Sequence, residues 1–201
     1  MKHLLTIIGL AFIIGACQPK KLPILGERDF VDGDSVYHTI PDFQFIDQDS
    51  NAVTNKTYEN KIYVADFFFT TCPTICPVMK TQLLRIYDKY KDNSEVGILS
   101  HTIDPRHDSV AVLRAYAKRL GVTGNFWHFV TGEREKIYEI GQRDYLVTAG
   151  EDSTAPGGII HSGAFLLIDK KRRVRGQYDG TKEDQVSRLL KDMDILLKEE
   201  E

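Results

Sequence analysis

Lys61 to Phe69 (KIYVADFFF) constrains this chain more than any other stretch. It is almost continuously apolar and rich in β-branched and aromatic residues, with a single carboxylate, Asp66, in its middle. A run this short and this apolar predicts a strand, and a strand without polar alternation must be covered on both faces. It is followed at once by Thr70-Thr71-Cys72-Pro73-Thr74-Ile75-Cys76-Pro77. Beyond that, Met79, Leu83, Ile86 and Tyr90 form one stripe at helical spacing, which predicts a helix over Val78–Tyr90. Two cysteines therefore stand in a turn between a buried strand and the start of a helix.

The remaining pattern extends the same architecture. Upstream, Pro41 to Ile46 alternates and Asp47-Gln48-Asp49-Ser50-Asn51 supplies turn chemistry before Val53, a predicted hairpin. Downstream, Glu95–Ile103 is a second strand, and Ser109 caps a helix that runs through Leu120 and stops at Gly121. Trp127–Val130 is a short strand and Glu133–Ile140 a short helix. Gly141–Gly158 is polar and rich in Gly, Ser and Thr, a long loop of the kind that carries function. Gly163–Asp169 and Val174–Tyr178 flank a charged turn as antiparallel strands, and Gln185–Leu197 closes the chain as an amphipathic helix. This order predicts an α/β, thioredoxin-like mixed sheet flanked by helices, with an N-terminal β-hairpin extension. One domain suffices for 201 residues.

Composition narrows the function. A hydrophobic fraction of 42% excludes a disordered chain, and a formal charge of -3 argues against a nucleic-acid partner. No apolar run reaches the length of about 18 residues needed to span a bilayer. The amino terminus reads as an address: Met1-Lys2-His3, then the apolar Leu4–Ile14, then Gly15-Ala16-Cys17. The small residues ahead of Cys17 resemble a bacterial lipobox. Residues 1–16 are thus expected to be a lipoprotein signal, Cys17 the lipidated first residue, and 17–38 a tether and lead-in to a domain over 39–198. The domain would work on the extracytoplasmic (periplasmic) side of a bacterial membrane, held by its lipid anchor.

Cys72 and Cys76 are then the two cysteines left in an oxidising compartment. If Pro77 takes the first helical position, Cys76 falls at the N-cap, where the helix dipole would lower its pKa. Both sulfurs would converge at one exposed place. Two thiolates suit Cu(I) or Zn(II); the pair could also form a disulfide, labile and exposed in such a turn, with a merely structural bridge as the bland alternative. A third ligand would decide. Of the histidines, His38 and His107 lie in polar segments and His101 and His128 in strands. His161 ends the Gly-rich loop and immediately precedes the Gly163–Asp169 strand, which in a thioredoxin-like sheet enters opposite the Cys loop. An imidazole there would complete a two-sulfur, one-nitrogen site fit for copper in either oxidation state; position alone leaves a hydrogen-bonded loop histidine equally open.

Three separated motifs, TTCPTICP, SHTIDPRHD and IIHSGAFLLID with its trailing basic hairpin, resemble the SCO/SenC family over roughly Pro41–Leu197. These are copper-binding proteins that help assemble the CuA centre of cytochrome c oxidase. The resemblance implies copper, Cu(I) or Cu(II), held by Cys72, Cys76 and His161, and a metallochaperone whose partner is the CuA-bearing subunit or another copper chaperone. It also matches Asp104 and Pro105 to a site-shaping Asp-Pro motif. The alternative is a thiol–disulfide oxidoreductase acting through Cys72 and Cys76. Asp66 departs from the family strand and stands six residues before Cys72, where thioredoxins keep a buried acid. Buried, it would have a raised pKa and could act as a general base beside the site; otherwise it is a strand-edge residue. The loose segment before His161 suggests that copper binding orders Gly150–Gly158.

Overall fold

The computed structural model of this chain describes residues 21–151 and 159–199. In chain order its strands are β1 (Arg28–Val31), β2 (Asp34–Tyr37), β3 (Gln44–Asp47), β4 (Ala52–Thr54), β5 (Ile62–Phe68) and β6 (Val96–Thr102). They continue as β7 (Trp127–Thr131), β8 (Ala149–Glu151), β9 (Ile159–His161), β10 (Ala164–Ile168) and β11 (Val174–Asp179). The α-helices are α1 (Cys76–Tyr90), α2 (Val110–Leu120), α3 (Arg134–Glu139) and α4 (Glu183–Leu196).

The main sheet has the order β11-β10-β5-β6-β7-β3-β4. The pairs β5–β6 and β6–β7 are parallel, and the flanking pairs are antiparallel. The apolar run becomes β5, near the middle of the sheet, with every residue buried. Its side chains serve two layers. Tyr63 and Phe67 meet Tyr145, while Asp66 and Phe68 meet Lys80 of α1 and Tyr116 of α2. This is the expected mixed, thioredoxin-like α/β arrangement. Ser109 caps α2 by accepting from Val112 N–H at 3.5 Å, and Gly121 ends it at φ 73°, a left-handed conformation that glycine adopts without a Cβ penalty.

The expected hairpin after Pro41 is β3–β4, joined to the sheet through β7. A second hairpin, β1–β2, forms within the stretch read as lead-in; Asp32 and Gly33 turn it with φ of 52° and 89°, as a two-residue primed turn requires. The arm ahead of it is packed, where the sequence suggested a free tether. Leu22 is buried, Leu25 N–H donates to Val174 O at 2.8 Å, and the Arg175 guanidinium donates to the carbonyls of Leu22 and Pro23. The stretch read as one long loop from Gly141 also contains regular structure. A π-helical turn covers Ile140–Asp144, closed by Tyr145 N–H to Ile140 O at 2.9 Å, and β8 pairs with β9. The widened turn brings Gly141 onto Phe67, where a Cβ would come within 3.0 Å of the ring. Residues 152–158, most of the segment expected to order with copper, lie outside the described residues. Among the described residues, no helix is long and apolar enough to cross a membrane.

Candidate metal centre at the end of the central strand

The site is built where β5 stops. Cys72 N–H donates to Phe69 O at 3.2 Å, turning the chain back, and α1 begins at Cys76 with Ile75 as its N-cap. Cys76 is therefore the first helical residue and Pro77 the second, one place on from the sequence expectation. Both cysteines are thiols and both are buried, at 8% and 2% exposure, so the exposed convergence expected from the turn is corrected. The Cys72 sulfur lies 3.6 Å from Thr74 Oγ1. Burial pushes the Cys76 thiol up to about 12, and the neighbouring Cys72 sulfur, through a hydrogen bond and its charge, adds to this. The Lys80 ammonium and the Phe69 backbone act in the opposite direction. The expected dipole-lowered Cys76 is thus overturned by desolvation, which outweighs a partial charge at a helix end.

The loop is tied down by a carboxylate that the sequence reading passed over. Asp108, fully buried, accepts from Thr70 N–H at 3.0 Å and from the hydroxyls of Thr70 and Thr102. Asp104, the residue singled out in the Asp-Pro motif, is half-buried and acts through its backbone, its carbonyl accepting from His107 and Asp108 N–H. The sequence signal lay in the same SHTIDPRHD segment, four residues further on. Asp66 is fully buried beneath α1 as the partner of Lys80, 2.6 Å away, and accepts the Ser100 hydroxyl. It is a counter-ion, and the strand-edge, solvent-facing reading is excluded.

The chain brings the third candidate to this place by topology. Because β10 runs antiparallel to β5, its first residues lie at the end of β5 that leads into the Cys loop. A Cβ placed on Gly163 would lie 3.6 Å from Ile75 Cδ1, between the two cysteines in sequence. A cleft of about 390 Å³ at this junction is lined by Ile75, Ser162, Gly163, Ala164, Tyr178 and Thr181, among others. His161 is the last residue of β9, two before Gly163, and pairs with Ala149 in the β8–β9 hairpin. Its side chain lies outside the described residues. The described side chains alone hold no group of three metal-binding residues, so the described part of the site is a two-sulfur one. Soft thiol donors meeting in a buried loop fit a soft cation such as Cu(I).

Three other histidines, His38, His101 and His128, have structural places, and His107 is exposed. His128 Nδ1 sits 2.9 Å from Asp47 Oδ2. His38, from a polar segment, is half-buried with Nε2 3.0 Å from Asp144 O. His101 is fully buried in β6, stacked on Phe67 at 4.8 Å and edged by Phe45 and Tyr145 at 5.4 Å.

A mixed thioredoxin-like sheet with a Cys-x-x-x-Cys turn after its central strand defines a class of thiol- and metal-handling domains. Within that class the chain belongs to the SCO1/SenC family, whose model matches residues 31–197. Among solved structures it is similar to a SCO1/SenC family lipoprotein from Bacillus anthracis, at 27% identity and a TM-score of 0.73 over 80% of this chain and 96% of that one. It is also similar to BsSco, described as having a disulfide switch and as a member of the Sco family of cytochrome c oxidase assembly proteins. There the identity is 25% and the TM-score 0.71, covering 81% of this chain and 95% of that one. Arabidopsis thaliana ScoI, solved with copper bound, matches at 26% identity and a TM-score of 0.64 over 79% of this chain and 98% of that one.

Proposed function

We propose that this chain is an extracytoplasmic copper carrier that supplies the CuA site of cytochrome c oxidase. Cys72 and Cys76 take Cu(I) as thiolates, and His161 supplies the nitrogen that completes the site. The observation that carries this reading is the junction itself: the turn from His161 into β10 shares a cleft, at Gly163, with Ile75, which lies between the two cysteines in sequence, in a family with a copper-bound relative. Binding releases the thiol protons, so a buried Cys76 holds copper more weakly as the pH falls. Asp108 and the Asp104 turn keep the loop in shape. Residues 1–16 are removed as a signal, Cys17 carries the lipid, and the domain over 39–198 reaches its partner from the membrane surface. The lipoprotein relative from B. anthracis supports that location.

A second reading has its own support. The two sulfurs are close enough to share a hydrogen bond, and a relative is described as having a disulfide switch. On that reading Cys72 attacks a partner disulfide and Cys76 resolves the mixed disulfide, keeping the CuA cysteines reduced. Membranes from cells lacking this protein separate the two. Copper delivery predicts oxidase subunits with empty CuA sites and reduced cysteines, restored by wild type but not by His161→Ala. Full restoration by His161→Ala, with oxidised CuA cysteines in the deletion, would contradict copper delivery and establish the redox role.

A further inference from the structure

The packed arm leaves little chain for a tether. Leu22 is buried and stands five residues after Cys17, a reach of at most about 18 Å when fully extended. A lipid on Cys17 therefore holds the arm's end of the fold close to the bilayer. The β1–β2 hairpin leaves the fold at that same end. Before it, Leu25 N–H donates to Val174 O at 2.8 Å; after it, Ile40 N–H donates to Arg172 O at 2.9 Å. The hairpin is a two-stranded sheet of its own, paired with no other described strand, and such a unit alone is marginally stable in water. Its two faces differ. Directly opposed residues of an antiparallel pair share a face, so the register Arg28↔Tyr37 and Phe30↔Ser35 puts two aromatic rings, a guanidinium and a hydroxyl on one side. The contacts agree: the Arg28 guanidinium lies 4.8 Å from the centre of the Phe30 ring and 5.4 Å from that of Tyr37, and its Nε donates to Ser35 Oγ at 3.1 Å. The other side carries Asp29, Val31, Asp34 and Val36. Phe30, at 69%, is the most exposed large hydrophobic side chain among the described residues.

We propose that the Arg28–Phe30–Tyr37 face of this hairpin is a second membrane contact, lying on the lipid headgroups beside the anchor. Two rings with a stacked cation and no carboxylate among them match the bilayer interface, where aromatic side chains settle at headgroup level and arginine reaches phosphate. The two carboxylates of the opposite face are then turned to water, away from an anionic surface. The short reach from Cys17 favours the bilayer over a protein partner. The acyl chains hold the protein to the membrane, and the hairpin sets how it stands there. Fastened at the Arg172 and Val174 end of the sheet, it directs the opposite end, where the Cys loop follows β5, away from the bilayer.

This inference rests on the lipid-anchored reading. It is tested on the acylated mature chain in vesicles of phosphatidylethanolamine and phosphatidylglycerol, with and without bromine on the acyl chains near the headgroup. Trp127, the only tryptophan, is fully buried and supplies a constant baseline of emission. Phe30→Trp places an indole on the aromatic face and Val36→Trp one on the opposite face; both positions are exposed, so neither change disturbs the core. The added emission of Phe30→Trp is expected to fall by about half or more with brominated lipid and to be sheltered from aqueous iodide, with the reverse for Val36→Trp. A Phe30→Trp indole open to iodide and untouched by bromine overturns the proposal and points to a protein partner for this face. Equal quenching of both variants by bromine also overturns it, because the hairpin would then have no lipid-facing side. The mass of the amino-terminal peptide separates the two levels. A chain without acyl groups on Cys17 brings down the anchored reading and this inference together, whereas an acylated chain with position 30 in water brings down the inference alone.

Discussion

His101 shows how a single residue's surroundings set a property of the whole fold. Burial among Phe67, Phe45 and Tyr145 lowers its pKa from 6.5 to about 3, only partly offset by a hydrogen bond with the Asp66 backbone. The folded pKa is depressed, so the unfolded chain binds the proton first as the pH falls. Stability is then full above about pH 6.5 and declines by about 1.4 kcal/mol per pH unit until the folded pKa is reached. His101→Phe, which fits the aromatic box, is expected to remove that slope between roughly pH 6 and pH 4 in urea unfolding. An unchanged slope would assign the acid sensitivity to other groups. The sequence placed His101 in a strand and hence in the core; its enclosure depended on rings from β3, β5 and the turn at Tyr145. Asp108 was harder to read. It becomes a loop anchor only because β6 lies beside β5 with Thr102 opposite Phe68, a register that no local pattern encodes.

At the scale of elements, period and punctuation were enough for most of the fold. The apolar run, the Ser109 cap with Gly121, and the β10–β11 pair all form where their patterns indicate. Lys80 escaped because a lysine beside the Met79 stripe of an amphipathic helix reads as solvent-facing, and only Asp66 across the layer makes its burial tolerable. The β1–β2 hairpin carried a readable signal, Asp32-Gly33 between apolar pairs, that the polar surroundings obscured. The basic turn after β10 resolves into intramolecular pairing. Lys170 meets Glu95, Arg172 meets Asp42, and Arg173 and Arg175 share Asp169. Arg175 does more than neutralise charge, because it also fastens the amino-terminal arm and Glu199 of the segment after α4. Arg175→Ala breaks a buried pair and frees two backbone carbonyls; a loss of about 3 kcal/mol is expected in denaturant unfolding, with the arm becoming protease-sensitive. A loss below about 1 kcal/mol would mean that the arm is not part of the cooperative unit.

At the scale of the molecule, the segments that bear the candidate ligands gather at one end of the main sheet. The cysteines enter from the end of β5, the loop is tied to the turn after β6, and the candidate nitrogen arrives on β9 just before β10. Three segments distant in sequence therefore meet at one end of the sheet, while the amino-terminal arm is fastened along β11, whose Val174 lies toward the other end. The arrangement suits the lipid-anchored carrier proposed above, with its anchor at one end and its exchanged ligand at the other. The measurement that tests this account most directly is a Cu(I) competition titration of the reduced domain beside its His161→Ala variant. The account predicts one tightly bound equivalent in the wild type and clearly weaker binding in the variant. Equal, weak binding in both would contradict it and leave Cys72 and Cys76 as a redox pair.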